Sequence, residues 1–311
     1  MRHAAALTKN QFRLEFSSSP WFLRGASFSP LNFDLEIVRH ALAEDLGTVD
    51  VTTLATVPPD ATATALMVAR EPLVVCGLPL AEAVFKEVSA KIEIERLAED
   101  GSRAARGQTL LRLRGPAGAM LTAERVALNF VQRLSGVATL TARFVEAVAG
   151  TRAKILDTRK TTPGLRSLEK YAVACGGGTN HRAGLFDRVL IKDNHLAALR
   201  HEPPNAIEAA VRRARAKYPT LPVEVEADTL KQVEQALLAG ADVILLDNML
   251  NEDMRSAVWL VNGRARTEAS GGVSLASVRA IAETGVDFIS VGALTHSARA
   301  VDVALDFEAA P

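Results

Sequence analysis

Apolar and polar positions follow two patterns along this chain, and the change falls near residue 150. Before it, Leu35, Val38, Leu42 and Leu46 recur at helical spacing, with Asp34 placed as an N-cap and Gly47 stopping the run. Thr62–Val68 and Lys91–Leu97 alternate with a period of two, Ile92 and Ile94 sharing a face, and predict strands of a half-buried sheet. Residues 78–88 between them predict a helix, and Gly118–Ala149, rich in Ala, Leu and Val, predicts helices linking two halves. Strands, a helix and strands in that order suggest an α+β layer.

After residue 150 short apolar runs recur with helical stretches between them. The runs are Ala153–Leu156, Arg188–Ile191, Pro222–Glu226, Asp242–Leu246, Arg266–Ala269 and Asp287–Val291; the helical stretches include Ala206–Lys217, Thr229–Ala239 and Leu275–Thr284. That alternation is the mark of βα units around a parallel sheet. Six units over ~140 residues are too few for a complete eight-fold barrel of ~250 residues, so the expected α/β architecture is an incomplete barrel, with an open doubly wound sheet as the alternative.

Composition narrows the classes without choosing among them. The chain has 311 residues, 48% of them apolar and 23% charged, which suits a globular protein with an ample core. Lys plus Arg equals Asp plus Glu at 36 each, so an extended basic surface for nucleic acid or anionic lipid is not expected. No uncharged apolar stretch reaches the ~18 residues of a membrane span. Cys76 and Cys175 stand far apart and in no CxxC pair, which argues against a disulfide framework or zinc site and for a reducing, cytoplasmic setting. Residues 1–30 set Arg2, Lys9, Arg13 and Arg24 against Glu15 alone, with Ser17-Ser18-Ser19. They read as a bland N-terminal extension, an organellar transit peptide being the alternative.

The chemistry gathers behind the predicted strands. Asp157-Thr158-Arg159-Lys160 follows the first, Lys192-Asp193-Asn194-His195 the second, Glu226 closes the third, Asp247-Asn248 follows the fourth, Ser270-Gly271-Gly272 the fifth, and Gly292 the sixth. In βα barrels the carboxyl ends of the strands form the active face, so these groups should meet at one mouth. Arg159, Lys160, His181, Arg182 and Lys192 form a cation cluster suited to a multiply anionic substrate. Glu226 and Asp247 are hard oxygen ligands suited to Mg²⁺ held together with substrate phosphates. Ser270-Gly271-Gly272, read as opening a helix, and Gly292 could hold a phosphate on backbone N–H groups. Each group has a plainer reading, as a helix cap, a turn or a solvated charge pair. Glu224 shares a strand face with Glu226, and spacing alone does not rank the two. His195, His40 and His201 carry no functional claim. No GxGxxG turn, Walker loop, HExxH helix or GxSxG elbow occurs.

Seven strings in order carry a family resemblance: Thr122-Ala-Glu-Arg-Val-Ala-Leu-Asn129, Leu156-Asp-Thr-Arg-Lys-Thr-Thr-Pro-Gly164, Cys175-Gly-Gly-Gly-Thr-Asn-His-Arg182, Ile191-Lys-Asp-Asn-His195, Val223-Glu-Val-Glu226, Leu245-Leu-Asp-Asn248 and Glu268-Ala-Ser-Gly-Gly272. The sequence from about Asp34 to Phe307 resembles quinolinate phosphoribosyltransferase. In Glu44-Asp-Leu-Gly-Thr-Val-Asp-Val-Thr-Thr53, Val49 stands where that family usually has Gly, a departure that bears on a local turn.

The resemblance implies a fold with an N-terminal α+β sandwich domain over residues 31–135, joined by the tail 296–311, and an incomplete α/β barrel over 136–295. It also implies a homodimer with shared active sites, and a reaction. Quinolinate and 5-phosphoribosyl 1-pyrophosphate would give nicotinate mononucleotide, pyrophosphate and carbon dioxide, with Mg²⁺ as cofactor. Carried over residue by residue, catalytic roles fall to Lys160, Lys192, Glu226 and Asp247, metal binding to Glu226 and Asp247, and substrate binding also to Thr158, Arg159, His181, Arg182, Ser270, Gly271, Gly272, Ser290 and Gly292. Arg125 would act in the partner's site. Two rival readings are a homologue associated with molybdenum transport that acts on another acid, and a non-catalytic metabolite-binding relative. The intact cations and carboxylates weigh against both.

Overall fold

The computed structural model describes residues 33–308, so the extension expected over residues 1–30 lies outside the described residues. The first half runs α1 (Glu36–Leu46), α2 (Val51–Thr56), β1 (Thr62–Ala69), β2 (Leu73–Val74), α3 (Leu78–Val88), β3 (Glu93–Arg96), β4 (Arg103–Ala104), β5 (Thr109–Pro116) and α4 (Ala117–Ala147). The second runs β6 (Lys154–Leu156), α5 (Arg166–Cys175), β7 (Val189–Ile191), α6 (Asp193–Ala198), α7 (Ala206–Lys217), β8 (Val223–Ala227) and α8 (Leu230–Leu238). It continues with β9 (Val243–Asp247), α9 (Asn251–Val261), β10 (Arg266–Ser270), α10 (Val278–Ala282), β11 (Phe288–Ser290), α11 (Ala293–His296) and β12 (Val303–Phe307).

The first half builds an antiparallel sheet in the order β12-β1-β5-β3, and the tail supplies its edge: Ala65 on β1 pairs with Phe307 on β12. All six strands predicted after residue 150 form, in one parallel sheet ordered β6-β11-β10-β9-β8-β7. The consecutive strands β6 and β7 lie at opposite edges of that order, so the ring does not close there, and Leu156 of β6 instead bridges Thr179. The result is an open, barrel-like α/β domain.

The helices expected over Gly118–Ala149 are a single one, α4, of 31 residues. It holds together because Met120, Ala123, Ala127, Val131, Leu134 and Ala138 run along it as a buried stripe at helical spacing. Gly136 inside it is a packing requirement: a Cβ there would meet the Arg299 carbonyl at 2.0 Å, so the chain returning to β12 crosses the helix at that point. The division at residues 135/136 falls within this helix.

Three local expectations need correction. Asp34 accepts the Glu36 N–H at 3.0 Å, but the cap position itself is Leu35. Gly271-Gly272 does not open a helix; both residues have positive φ (99° and 58°), and α10 begins only at Val278, after a turn held by Ser274 and Ser277. The helix expected over 275–284 is correspondingly short. Val49 sits 45% exposed just ahead of Asp50, whose carboxylate caps α2 by accepting the Thr53 N–H.

Candidate active site

Parallel strands end on one side, so β6 to β11 deliver their following residues to a common mouth. Its floor is a buried charged layer. Glu224 on β8 and Glu268 on β10 are fully buried and face inward. Arg188 donates to Glu224 at 2.9 Å, Ser290 donates its hydroxyl to Glu268, and His181 Nε2 lies 3.3 Å from Glu224 and 3.5 Å from Glu268. Burial would raise both carboxyls, yet His181 and Arg188 hold Glu224 below its ordinary range; Glu268 is pushed up by burial and by the charge of Glu224. Burial disfavours a charged His181 ring, but the two carboxylates outweigh it and raise its pKa. The Arg182 N–H reaches His181 Nδ1 at 2.7 Å, a contact that only the neutral ring with its proton on Nε2 can accept, so it opposes the charged form that the two carboxylates favour.

The layer above is open. Two residues along β8 from Glu224, Glu226 reaches the mouth and accepts from Lys192 Nζ at 3.2 Å. The burial pattern therefore separates the pair: Glu224 belongs to the floor and Glu226 to the mouth. Asp247 closes β9 and accepts from the Asn248 amide at 2.8 Å. Asn248, in the left-handed region at φ 53°, leans over Gly271, where a Cβ would meet Asn248 Oδ1 at 2.1 Å. Only glycine fits there. Gly272 opens to free space, and at Gly292, which precedes α11, a Cβ would meet the His296 ring at 3.1 Å and the Lys160 stem at 3.3 Å. Ser270 stands half-buried at the end of β10.

The cations divide in the same way. Arg182 is buried, and burial together with the neighbouring Arg159 cation lowers its pKa. Arg159 is half-buried, and its Nε is enclosed without a hydrogen-bond partner. Lys160 is exposed, its N–H held by Thr158 Oγ1 at 3.0 Å. Lys192 is half exposed, with its own N–H taken by His195 Nδ1 at 2.9 Å, a capping role that accounts for His195.

Three predicted groups lie elsewhere. Asp157 is fully buried, accepting from Lys170 Nζ at 2.5 Å and from the His181 N–H at 2.7 Å. It locks the β6 loop to the His181 loop, and burial pushes its carboxyl up to about 6. Ser290 turns its hydroxyl down to Glu268 rather than into the mouth. Arg125 lies exposed on α4 and makes no hydrogen bond or ion pair with the strand-end groups among the described residues. Spacing did not single out Arg188, Glu268 or Lys170. The signal available was a charged residue inside an otherwise apolar strand or helix face, which has to be paired to be buried.

Comparison with known proteins agrees with this geometry. The family model "Quinolinate phosphoribosyl transferase, N-terminal domain" matches residues 50–135 and "Quinolinate phosphoribosyl transferase, C-terminal domain" matches residues 137–306. The chain is 48% identical over 277 residues to the nicotinate-nucleotide pyrophosphorylase [carboxylating] of Mycobacterium leprae (strain TN), covering 87% of this chain and 96% of that protein. It is 43% identical over 293 residues to the chloroplastic protein of the same name from Arabidopsis thaliana, covering 89% of this chain and 83% of that one. The solved nicotinate-nucleotide pyrophosphorylase from Francisella tularensis superposes with a TM-score of 0.84 at 41% identity, over 88% of this chain and 95% of that one. That from Ehrlichia chaffeensis gives 0.84 at 42%, over 90% and 100%. Both domains, in order and over nearly all of the described length, place this chain in the quinolinate phosphoribosyl transferase family.

Proposed function

We infer that the chain joins quinolinate to the phosphoribosyl group of 5-phosphoribosyl 1-pyrophosphate and releases pyrophosphate and carbon dioxide, giving nicotinate mononucleotide for NAD synthesis. The observation that carries this reading is the nearness of Arg159 to Arg182: the charge of one guanidinium bears on the other, Arg182 is buried, and Arg159 has an enclosed, unpartnered Nε. Like charges gathered in a low-dielectric recess repel unless an anion sits between them. A dianionic pyridine acid supplies two carboxylates, and Arg159, Lys160, Arg182 and Lys192 face it. His181 braces this wall from behind through the Arg182 N–H.

The opposite side of the mouth suits the sugar donor. Gly272 opens to free space that suits a phosphate against backbone, Gly271 and Gly292 let the chain pass close to Asn248 and to Lys160, and Thr158 and Ser270 flank them. Glu226 and Asp247 would hold Mg²⁺. Their chemistry fits the ion: two hard oxygen donors at the ends of adjacent strands, an incomplete shell that substrate phosphates would fill. When bound, Mg²⁺ neutralises charge developing on the leaving pyrophosphate. Lys160 and Lys192 add positive charge beside the pyrophosphate, which gains negative charge as it leaves. The pyridine nitrogen attacks the anomeric carbon and pyrophosphate leaves with the bonding pair; as carbon dioxide departs, the ring nitrogen, now cationic, stabilises the electron pair left on the ring carbon that bore the 2-carboxylate, and a proton from solvent then takes the place of the carboxylate.

We place this chemistry in a homodimer whose partner subunit supplies Arg125, and in the cytoplasm. No helix among the described residues is long and apolar enough to cross a membrane. The direct test is Arg159→Ala. Loss of a charge-assisted contact to a desolvated carboxylate should weaken quinolinate binding by ~2–5 kcal/mol while sugar-phosphate binding changes far less. Equal losses for the two substrates, measured by calorimetry, would remove Arg159 from the acid pocket.

A further inference from the structure

The loop from Asp157 to Leu165 carries Thr158, Arg159 and Lys160 yet has no helix or strand of its own. Three side chains from outside it reach residues 159–162 among the described residues. Arg166 donates to Thr161 Oγ1 at 3.1 Å and to the Arg159 carbonyl at 3.5 Å. Thr295 donates its hydroxyl to the Lys160 carbonyl at 2.7 Å. Glu169, on α5, accepts the Thr162 N–H at 3.0 Å on one oxygen and the Thr162 hydroxyl at 2.8 Å on the other.

Glu169 differs from the other two because it is a carboxylate with no exposure to solvent. Burying it is costly unless its lone pairs are filled. Two donors come from the loop, and the third is Arg133 on α4, which donates to Glu169 at 2.6 Å. The same guanidinium donates to the Ala298 carbonyl at 2.7 Å and to the carbonyl of Thr295, the residue that holds Lys160. If the loop moved away, Glu169 would keep only Arg133 and two acceptor positions would go unfilled in the interior. The carboxylate therefore couples the loop's position to the long helix.

Resting on the functional reading above, we propose that Glu169 is the positioning residue of the Arg159–Lys160 loop, with Arg133 and Thr295 completing the brace. It touches no substrate. It acts by setting where Arg159 and Lys160 stand when the acid arrives. A plain α4–α5 ion pair would stabilise the fold and leave the loop's mobility and the acid's affinity unchanged; a brace must move both.

The variants are Glu169→Gln and Thr295→Val. In the first, one side of the carboxamide must turn an N–H toward either the Thr162 N–H or the Arg133 guanidinium, both of them donors. In the second, a side chain of the same shape stays buried and the Lys160 carbonyl loses its donor, so folding is retained if the first variant fails to fold. Each is compared with wild type by calorimetric titration with quinolinate and by hydrogen–deuterium exchange of the backbone amides of residues 158–162 without ligand. Expected are faster exchange confined to this loop and quinolinate affinity weakened about tenfold or more, the scale at which small misplacement of binding groups acts. Thr295→Val should show this at the wild-type melting temperature. Wild-type exchange in both variants, or faster exchange with wild-type affinity, would overturn the proposal. Should the wild-type protein itself fail to bind quinolinate, the functional reading falls, and the exchange comparison alone decides whether Glu169 braces the loop.

Discussion

Glu224 and Glu226 sit two residues apart on one strand face and end in different environments, and that difference organises the site. Glu224 is buried against Arg188 and His181, whereas Glu226 meets Lys192 at the mouth. The strand-end residues were legible in the sequence because polar groups after apolar runs have few structural reasons to recur. Which of them lie below the surface was not legible, since that depends on partners from other elements: Lys170 on α5 draws Asp157 inward, and Arg188 fixes Glu224. Asp247 carries a test at this scale. If it holds Mg²⁺ against the pyrophosphate, Asp247→Asn should lower turnover and raise the Mg²⁺ concentration needed for half-maximal rate, while quinolinate binding survives. An unchanged Mg²⁺ dependence would make Asp247 a residue that only orients Asn248.

At the level of elements, the βα alternation after residue 150 was read correctly strand by strand because fully buried parallel strands appear as apolar runs. Strand β5 was harder. Met67 pairs with Leu111 but Val68 pairs with Thr109, so Leu110 is an extra residue and the period of two breaks where it would have been diagnostic. Strands β2 and β4 span two residues each, too short for any period to show. The sheet's own clamp is Asp287, at the start of β11, which accepts the N–H (2.9 Å) and hydroxyl (3.1 Å) of Thr267 and pairs with Arg152 and Arg266. Burial works to raise its pKa, but Thr267 and the two guanidiniums outweigh that and hold it below the ordinary carboxylate range. A carboxyl lowered on folding stabilises above its unfolded pKa of about 3.9 and loses that contribution as the pH falls through the folded value. Asp287→Asn should thus cost about 2–3 kcal/mol at neutral pH, the worth of hydrogen bonds to a charged group. The gap to wild type should hold down to about pH 4 and close below it. Urea midpoints across that range check the sign; a gap that widens in acid would contradict it.

For the whole molecule, the two domains and the return of the tail to the first sheet leave Arg125 on the long helix, away from the strand-end groups of its own barrel. The family resemblance assigns Arg125 to a partner's site, and its position on the long helix fits that assignment. Chains bearing Arg125→Ala and chains bearing Lys160→Ala should each be nearly inactive, and mixing with subunit exchange should restore activity. Random pairing makes about half the dimers mixed, each with one whole site of two, so recovery should approach a quarter of wild type by two-fold symmetry. Exchange without recovery would show that Arg125 does not act across subunits.

The central claim is that one site both transfers the phosphoribosyl group to a dianionic acid and expels one of its carboxylates. The most direct measurement offers the protein quinolinate labelled in its 2-carboxylate, or nicotinate in parallel, with 5-phosphoribosyl 1-pyrophosphate and Mg²⁺, and follows labelled carbon dioxide, pyrophosphate and nucleotide together. The account predicts equal amounts of all three products from quinolinate and no nucleotide from nicotinate. Nucleotide formed from nicotinate as readily as from quinolinate, or from quinolinate with its label retained, would contradict it.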